Sequence, residues 1–174
     1  MRAIRRKVQR FKVQSSEVQE KGWFGVQGSR QIWTVGLRVL KEKPMRIERF
    51  EDIEAWQLAR QLTCKVYDLT KKSRFTRDFG LKKQIQDAAG SSMHNIAEGF
   101  DSETNPEFVR FLRYAKRSCT EVQSELYVAK DQQYITNTEF QDVYDHAGRT
   151  RAAIRGFIKY LVAYKQDQQK KGNP

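Results

Sequence analysis

The chain has 174 residues, 33 Lys and Arg against 21 Asp and Glu, and 11% aromatic residues. That is enough length for one cored domain and too many rings for disorder throughout. No run of 18 apolar residues is present, which excludes a membrane-spanning helix, and the basic N-terminus lacks the apolar run and cleavage site of a signal peptide. The two cysteines, Cys64 and Cys119, stand far apart, so free thiols in a reducing compartment and a cytoplasmic location are expected.

The charge is uneven. Residues 1–44 carry eleven bases and three acids, +8, whereas the remainder carries 22 bases and 18 acids, only +4. In this first segment Val8, Val13 and Val18 recur every five residues, a period of neither helix nor strand. Gly22, Gly25 and Gly28 fit neither a P-loop nor a dinucleotide fingerprint. A short strand over 31–40 would have nothing to pair with. Residues 1–44 are therefore expected to be a mostly disordered, basic, low-complexity arm. It reads either as an RNA-grasping tail or as an upstream extension of a protein that begins at Met45.

After Pro44 the pattern is helical. A first helix is predicted over 51–72, with Ala55, Leu58, Ala59, Leu62, Val66 and Leu69 at the spacing of one buried face. Ile53, Trp56 and Tyr67 widen its apolar arc beyond what a single core needs. A second helix spans 78–100, with Leu81, Ile85, Ala88, Ala89, Ser92 and Ile96 inward, Gly90 weakening it and Gly99 ending it. Asn105-Pro106 opens a third, Asn as the cap and Pro at the first turn. Its stripe is Phe108, Phe111, Leu112, Ala115, Cys119, Val122, Leu126 and Ala129. Thr136 and Glu139 form a capping box for a fourth, with Phe140, Val143, Tyr144, Ala147, Ile154, Ile158 and Leu161 inward. The fold expected is all-α, an up-down-up-down four-helix bundle over 45–167 with a disordered tail at 168–174.

Catalytic equipment is not evident, and no enzyme, metal or cofactor is expected. His94 with Glu98 and Asp142 with His146 are i, i+4 pairs. A di-iron bundle needs Glu three residues before each ligand His, where Ser91 and Val143 stand instead. Two histidines without a Cys-x-x-Cys make no zinc cage, and both are read as surface or boundary residues. Asn95 and Glu98 are read as structural, the carboxylate pairing with Arg113 or Arg117.

Two outward features remain. At 100° per residue, Arg110, Arg113 and Arg117 fall within about 60° of one another, opposite the Phe111 stripe; planar guanidinium groups suit phosphate. Glu121 dilutes that patch. Gly148, Ala152 and Gly156 recur every four residues on the fourth helix, a small-residue seam that lets another helix approach closely. With Ile53, Trp56 and Tyr67, this seam is the expected oligomer interface.

The run Arg49-Phe50-Glu51-Asp52-Ile53-Glu54-Ala55-Trp56, followed by Phe79-Gly80-Leu81, Asn95-Ile96-Ala97-Glu98-Gly99 and Glu107-Phe108-Val109-Arg110-Phe111-Leu112, resembles the four-helix bundle proteins encoded in intervening sequences of bacterial 23S ribosomal RNA genes. The resemblance covers about 45–164. Such proteins usually have Pro where Met93 stands, so a straighter second helix is expected here. The resemblance implies a ring-like homopentamer. A fold relative, the accessory protein of diversity-generating retroelements, adds a basic barrel that binds nucleic acid and a reverse transcriptase. The function expected is thus a non-catalytic homo-oligomer that binds structured, ribosomal RNA with little base readout. The alternative is a protein-binding scaffold for a nucleic-acid enzyme such as a reverse transcriptase.

Overall fold

The computed structural model describes residues 47–171, with side chains as far as residue 163; the expectations for the arm and for residues 172–174 lie outside them. Four helices follow in order: α1 (Glu54–Thr70), α2 (Phe79–Asp101), α3 (Asn105–Asp131) and α4 (Asn137–Lys171). Each packs on the next and α4 returns to α1, giving the up-and-down bundle that the short connections dictate. No strand occurs among the described residues.

The helix ends show where local rules held and where packing overrode them. The run that sequence assigned to the start of α1 is instead a 3₁₀ turn, Phe50–Asp52, with the Arg49 amide donating to Asp52 Oδ2 at 3.1 Å. Ile53 then takes an extended conformation, and the α-helix begins at Glu54. Asp78 caps α2, its Oδ1 accepting from the Leu81 amide at 3.0 Å, while its Oδ2 accepts from the Tyr134 hydroxyl at 3.3 Å. Thr104, not Asn105, caps α3, accepting from the Glu107 amide at 3.3 Å; Asn105 is already helical and Pro106 sits in the first turn. The box that opens α4 is present as expected. Glu139 Oε2 accepts from the Thr136 amide at 2.9 Å, and Thr136 Oγ1 accepts from the Glu139 amide at 3.3 Å. The last helix continues to Lys171, beyond the boundary expected at 167.

Gly99 does not end α2, which runs two residues further. A Cβ there would lie 2.6 Å from Phe108 Cδ2 and 2.8 Å from Phe111 Cβ. The missing side chain lets the first turns of α3 close against the last turns of α2. Phe108 in turn meets Phe100 and Phe157 edge-on at 6.4 and 5.4 Å.

The core follows the predicted stripes closely on α1 to α3, with Leu62, Val66, Ile85, Ile96, Leu112, Val122 and Leu126 fully buried. Leu58, Phe111, Tyr144 and Ile158 are only half-buried. On α4 the buried set also includes Phe157, Thr150 and His146. His146 is not a surface residue: it is 3% exposed. Its Nε2 lies 2.9 Å from the Leu58 carbonyl and its Nδ1 3.2 Å from Arg149 Nη2. A carbonyl can only accept and a guanidinium only donate, so the ring carries its hydrogen on Nε2. This bond joins α4 to α1. Two ion pairs lie on the same seam, Lys65 Nζ with Asp142 Oδ2 at 2.6 Å and Lys72 Nζ with Glu139 Oε1 at 2.5 Å. Asp142 thus pairs with Lys65 and not with His146.

Candidate nucleic-acid interface

The arginine face is built by α3. Phe108, Leu112, Ala115, Cys119 and Val122 turn inward, so the residues a half-turn away must face solvent. Arg110, Arg113 and Arg117 are all exposed. Over the seven residues from first to last, the helix rises about 10 Å. Arg110 is engaged on its own helix. Its Nη2 lies 3.7 Å from Glu107 Oε1, and its guanidinium stands 5.7 Å from the Phe111 ring centroid. An exposed pair of this length is weak and screened by salt. No ion pair among the described residues holds Arg113 or Arg117.

The expected pairing of Glu98 with Arg113 or Arg117 does not occur. Glu98 is exposed on α2, and Asn95 donates from Nδ2 to the Ser91 carbonyl at 2.7 Å within its own helix. The arginines are therefore left to the surface. Glu121, one turn beyond Arg117, is exposed; beside it Glu125 is shifted upward, first by burial and then by the Glu121 charge. The acidic end of α3 thus lies C-terminal to the basic one.

Sequence reasoning missed Tyr114, which is 41% exposed among the three arginines. Its ring meets Phe111 edge-on, centroids 6.3 Å apart at 88°. The signal was its i+4 spacing from Arg110, which places both on one face.

The residues expected at an oligomer interface separate into two groups. Ile53 is 3% exposed and buried within its own bundle, which removes it from any surface contact. Gly148 is half-buried, and a Cβ there would meet Gln123 Nε2 of the same chain at 3.7 Å. Trp56 is half-buried with its ring 5.0 Å from Phe50, Tyr67 is 46% exposed, Ala152 is exposed, and Gly156 has nothing within 4 Å of a would-be Cβ. Trp56 and Tyr67 share the flank of α1 that carries Thr63, whose hydroxyl lies 3.0 Å from the Ala89 carbonyl of α2. Ala152 and Gly156 face away from both α1 and α3.

Chemistry of other kinds finds no cluster. Among the described residues no group of three or more His, Cys, Asp or Glu could hold a metal ion. Cys119 is buried, which pushes its thiol up to about 12. No described helix is long and apolar enough to cross a membrane.

The model of the 23S rRNA-intervening sequence protein family matches residues 51–156. Among solved structures, the chain is similar to a protein with unknown function from the S23 ribosomal protein family of Bacteroides thetaiotaomicron. The identity is 19% and the TM-score 0.57, over 60% of this chain and 98% of that one. At that identity the likeness is one of fold. No curated protein matches.

Proposed function

Because the chain belongs to the 23S rRNA-intervening sequence protein family, we propose that it is a non-catalytic, self-associating bundle that binds structured ribosomal RNA through α3. The observation that carries this reading is the exposure of Arg113 and Arg117 without an acidic partner, beside an Arg110 held only by a 3.7 Å surface pair. Guanidinium groups so placed bind phosphate oxygens two at a time and release counterions. Phosphate contacts carry no sequence information, so affinity across unrelated sequences is the expected behaviour.

The bundle residues carry only +4 per copy, and self-association repeats that charge around the assembly. Trp56 and Tyr67 offer large side chains on one flank, and Ala152 and Gly156 offer a flat seam on another. Two different patches form a head-to-tail contact, which closes into a ring when the rotation allows. Five copies is the number that the family resemblance implies. Changing Gly156 to Leu should overpack the seam, at about 1–3 kcal/mol per contact, and shift light scattering toward the monomer. A parent protein that is monomeric at tens of micromolar would overturn self-association.

The test for RNA is a salt titration of binding with the full chain and with a variant carrying Arg110→Glu, Arg113→Glu and Arg117→Glu. The arm is common to both, so the difference belongs to α3. Weaker binding and a slope of log K against log salt flatter by about 2–3 are expected. Equal affinity and slope in a folded variant would reject the arginine face.

A second reading, a scaffold for a protein partner, is favoured by the α3–α4 aromatic cluster. Tyr127 is 49% and Val128 43% exposed, and the Tyr127 ring lies 5.0 Å from Phe140 and 5.7 Å from Tyr144. Co-purification of a nucleic-acid enzyme such as a reverse transcriptase, abolished by Tyr127→Ala and Val128→Ser, would support it.

A further inference from the structure

Three basic side chains alone make a phosphate-binding face that suits duplex and single strand equally. Tyr114 breaks that equality. On a helical projection it lies about 40° from Arg110 and about 60° from Arg117, the three forming one continuous patch. Its neighbours on the helix, Ala115 and Leu112, are fully buried, yet Tyr114 keeps 41% of its surface in water. Phe111 stands against it edge-on, centroids 6.3 Å apart, and is itself backed by the Arg110 guanidinium at 5.7 Å. A ring so supported is partly ordered before anything binds, so little further freedom is lost when a flat partner lies on it. Among the described residues the Tyr114 hydroxyl makes no hydrogen bond within the chain, so the ring is not held in place for a structural bond.

Resting on the proposal that this face binds RNA, we infer that Tyr114 is a stacking platform for an unpaired base, and that the preferred target is a single-stranded stretch such as a loop or bulge. Exposed aromatic rings set among cations are what single-strand grooves use, since every base offers a π face. A paired base inside an A-form duplex does not: its faces are covered by the neighbouring pairs, and side chains reach mainly the shallow groove and the backbone. The guanidinium groups track the phosphates on either side, while the ring takes the base between them. Base identity matters little in such contacts, since every base offers a π face to the ring.

The experiment uses the full chain and two probes: a labelled single-stranded 20-nucleotide RNA with one 2-aminopurine, and a blunt 20-base-pair RNA duplex. Wild type should bind the single strand more tightly and quench the 2-aminopurine. Tyr114→Ala should lose about 5–100-fold on the single strand, less than twofold on the duplex, and abolish the quench. Its salt slope should stay that of the parent, since no counterion is released by the ring. Tyr114→Phe, which keeps the ring and the packing on Phe111, should bind as the parent does. A wild type that binds both probes alike, an unquenched 2-aminopurine, or a folded Tyr114→Ala variant that loses nothing on the single strand would each overturn the inference. The triple arginine variant separates the two levels. If it loses affinity while Tyr114→Ala does not, only the platform fails; if it loses nothing, the phosphate-binding reading fails as well.

Discussion

Replacing Gly99 by Ala sets two effects of known sign against each other. Ala is the better helix former by about 1 kcal/mol, and Gly99 lies inside α2, so on propensity alone the change stabilises. The added methyl, however, would sit 2.6 Å from Phe108 Cδ2 and 2.8 Å from Phe111 Cβ, about 1 Å inside an ordinary carbon contact. A ring edge can swing away in an open place, but Phe108 is 4% exposed and wedged between Phe100 and Phe157. Phe111 Cβ is fixed to the α3 backbone and moves only with the helix. Overpacking of this kind costs about 1–3 kcal/mol, which exceeds the propensity gain at most of that range. The net expectation is a loss of up to about 2 kcal/mol, or up to roughly 8 °C in Tm for a chain of this size. Gly90→Ala is the control on the same helix, since its Cβ would meet only His94 Cε1 at 3.5 Å; it should gain up to about 1 kcal/mol. Urea unfolding followed by circular dichroism at 222 nm compares the three proteins. A Gly99→Ala variant as stable as Gly90→Ala would refute the claim that α2 and α3 meet at this glycine.

The Glu139 carboxyl is lowered to about 2, by its bond to Lys72 first and the Thr136 amide next. Its folded value is depressed, so its contribution is present above the usual carboxylate range near 4.5 and is lost as pH falls toward 2. Glu139→Gln should cost about 1 kcal/mol at pH 7, the modest size fitting a partly exposed pair plus a cap, and almost nothing at pH 2; an equal difference at both pH values would contradict the assignment. Cys119, with its thiol pushed up to about 12 by burial, should resist alkylation at pH 8 until the protein is denatured, so denaturation must release at least one further thiol. A chain beginning at Met45 keeps every buried position of the bundle and should match the full chain in helicity, with a Tm within a few degrees of it; loss of cooperative unfolding would make residues 1–44 structural.

The helices and most of the core were legible because the apolar period holds within each helix between Ala55 and Leu161 and the turn residues agree with it. The same logic reached the capping box at Thr136. It failed where a residue has two physical uses and only the tertiary neighbour decides. Gly99 has the composition of a helix stop, yet it serves a close approach of Phe108 and Phe111, which lie nine and twelve residues further along. His146 stands three residues after Val143 and four before Thr150, squarely in the buried arc; its polarity suggests the surface, and the Leu58 carbonyl that satisfies it belongs to α1. Ile53 reads as outward when the helical angle is carried back past Glu54, but its backbone is extended and precedes the α-helix. At the candidate site the arginine face followed directly from periodicity. Tyr114 did not stand out, since a tyrosine between arginines reads as another half-buried ring until its exposure is measured.

The two flanks of α1 carry different polar partners, and that asymmetry favours one handedness of the bundle over the other. An up-and-down set of four helices can turn clockwise or anticlockwise, and the short connections permit both. Apolar stripes alone distinguish the two poorly, because Leu and Val pack against either neighbour. In this chain the Thr63 hydroxyl reaches Ala89 on α2, while Lys65, Lys72 and the Leu58 carbonyl reach Asp142, Glu139 and His146 on α4. The mirror arrangement would exchange α2 and α4 about α1. His146 would then be buried without an acceptor for its Nε2–H, and both lysines would lose their carboxylates. Each ion pair adds little to stability, yet together with the buried imidazole they penalise the wrong turn, which apolar packing would otherwise tolerate.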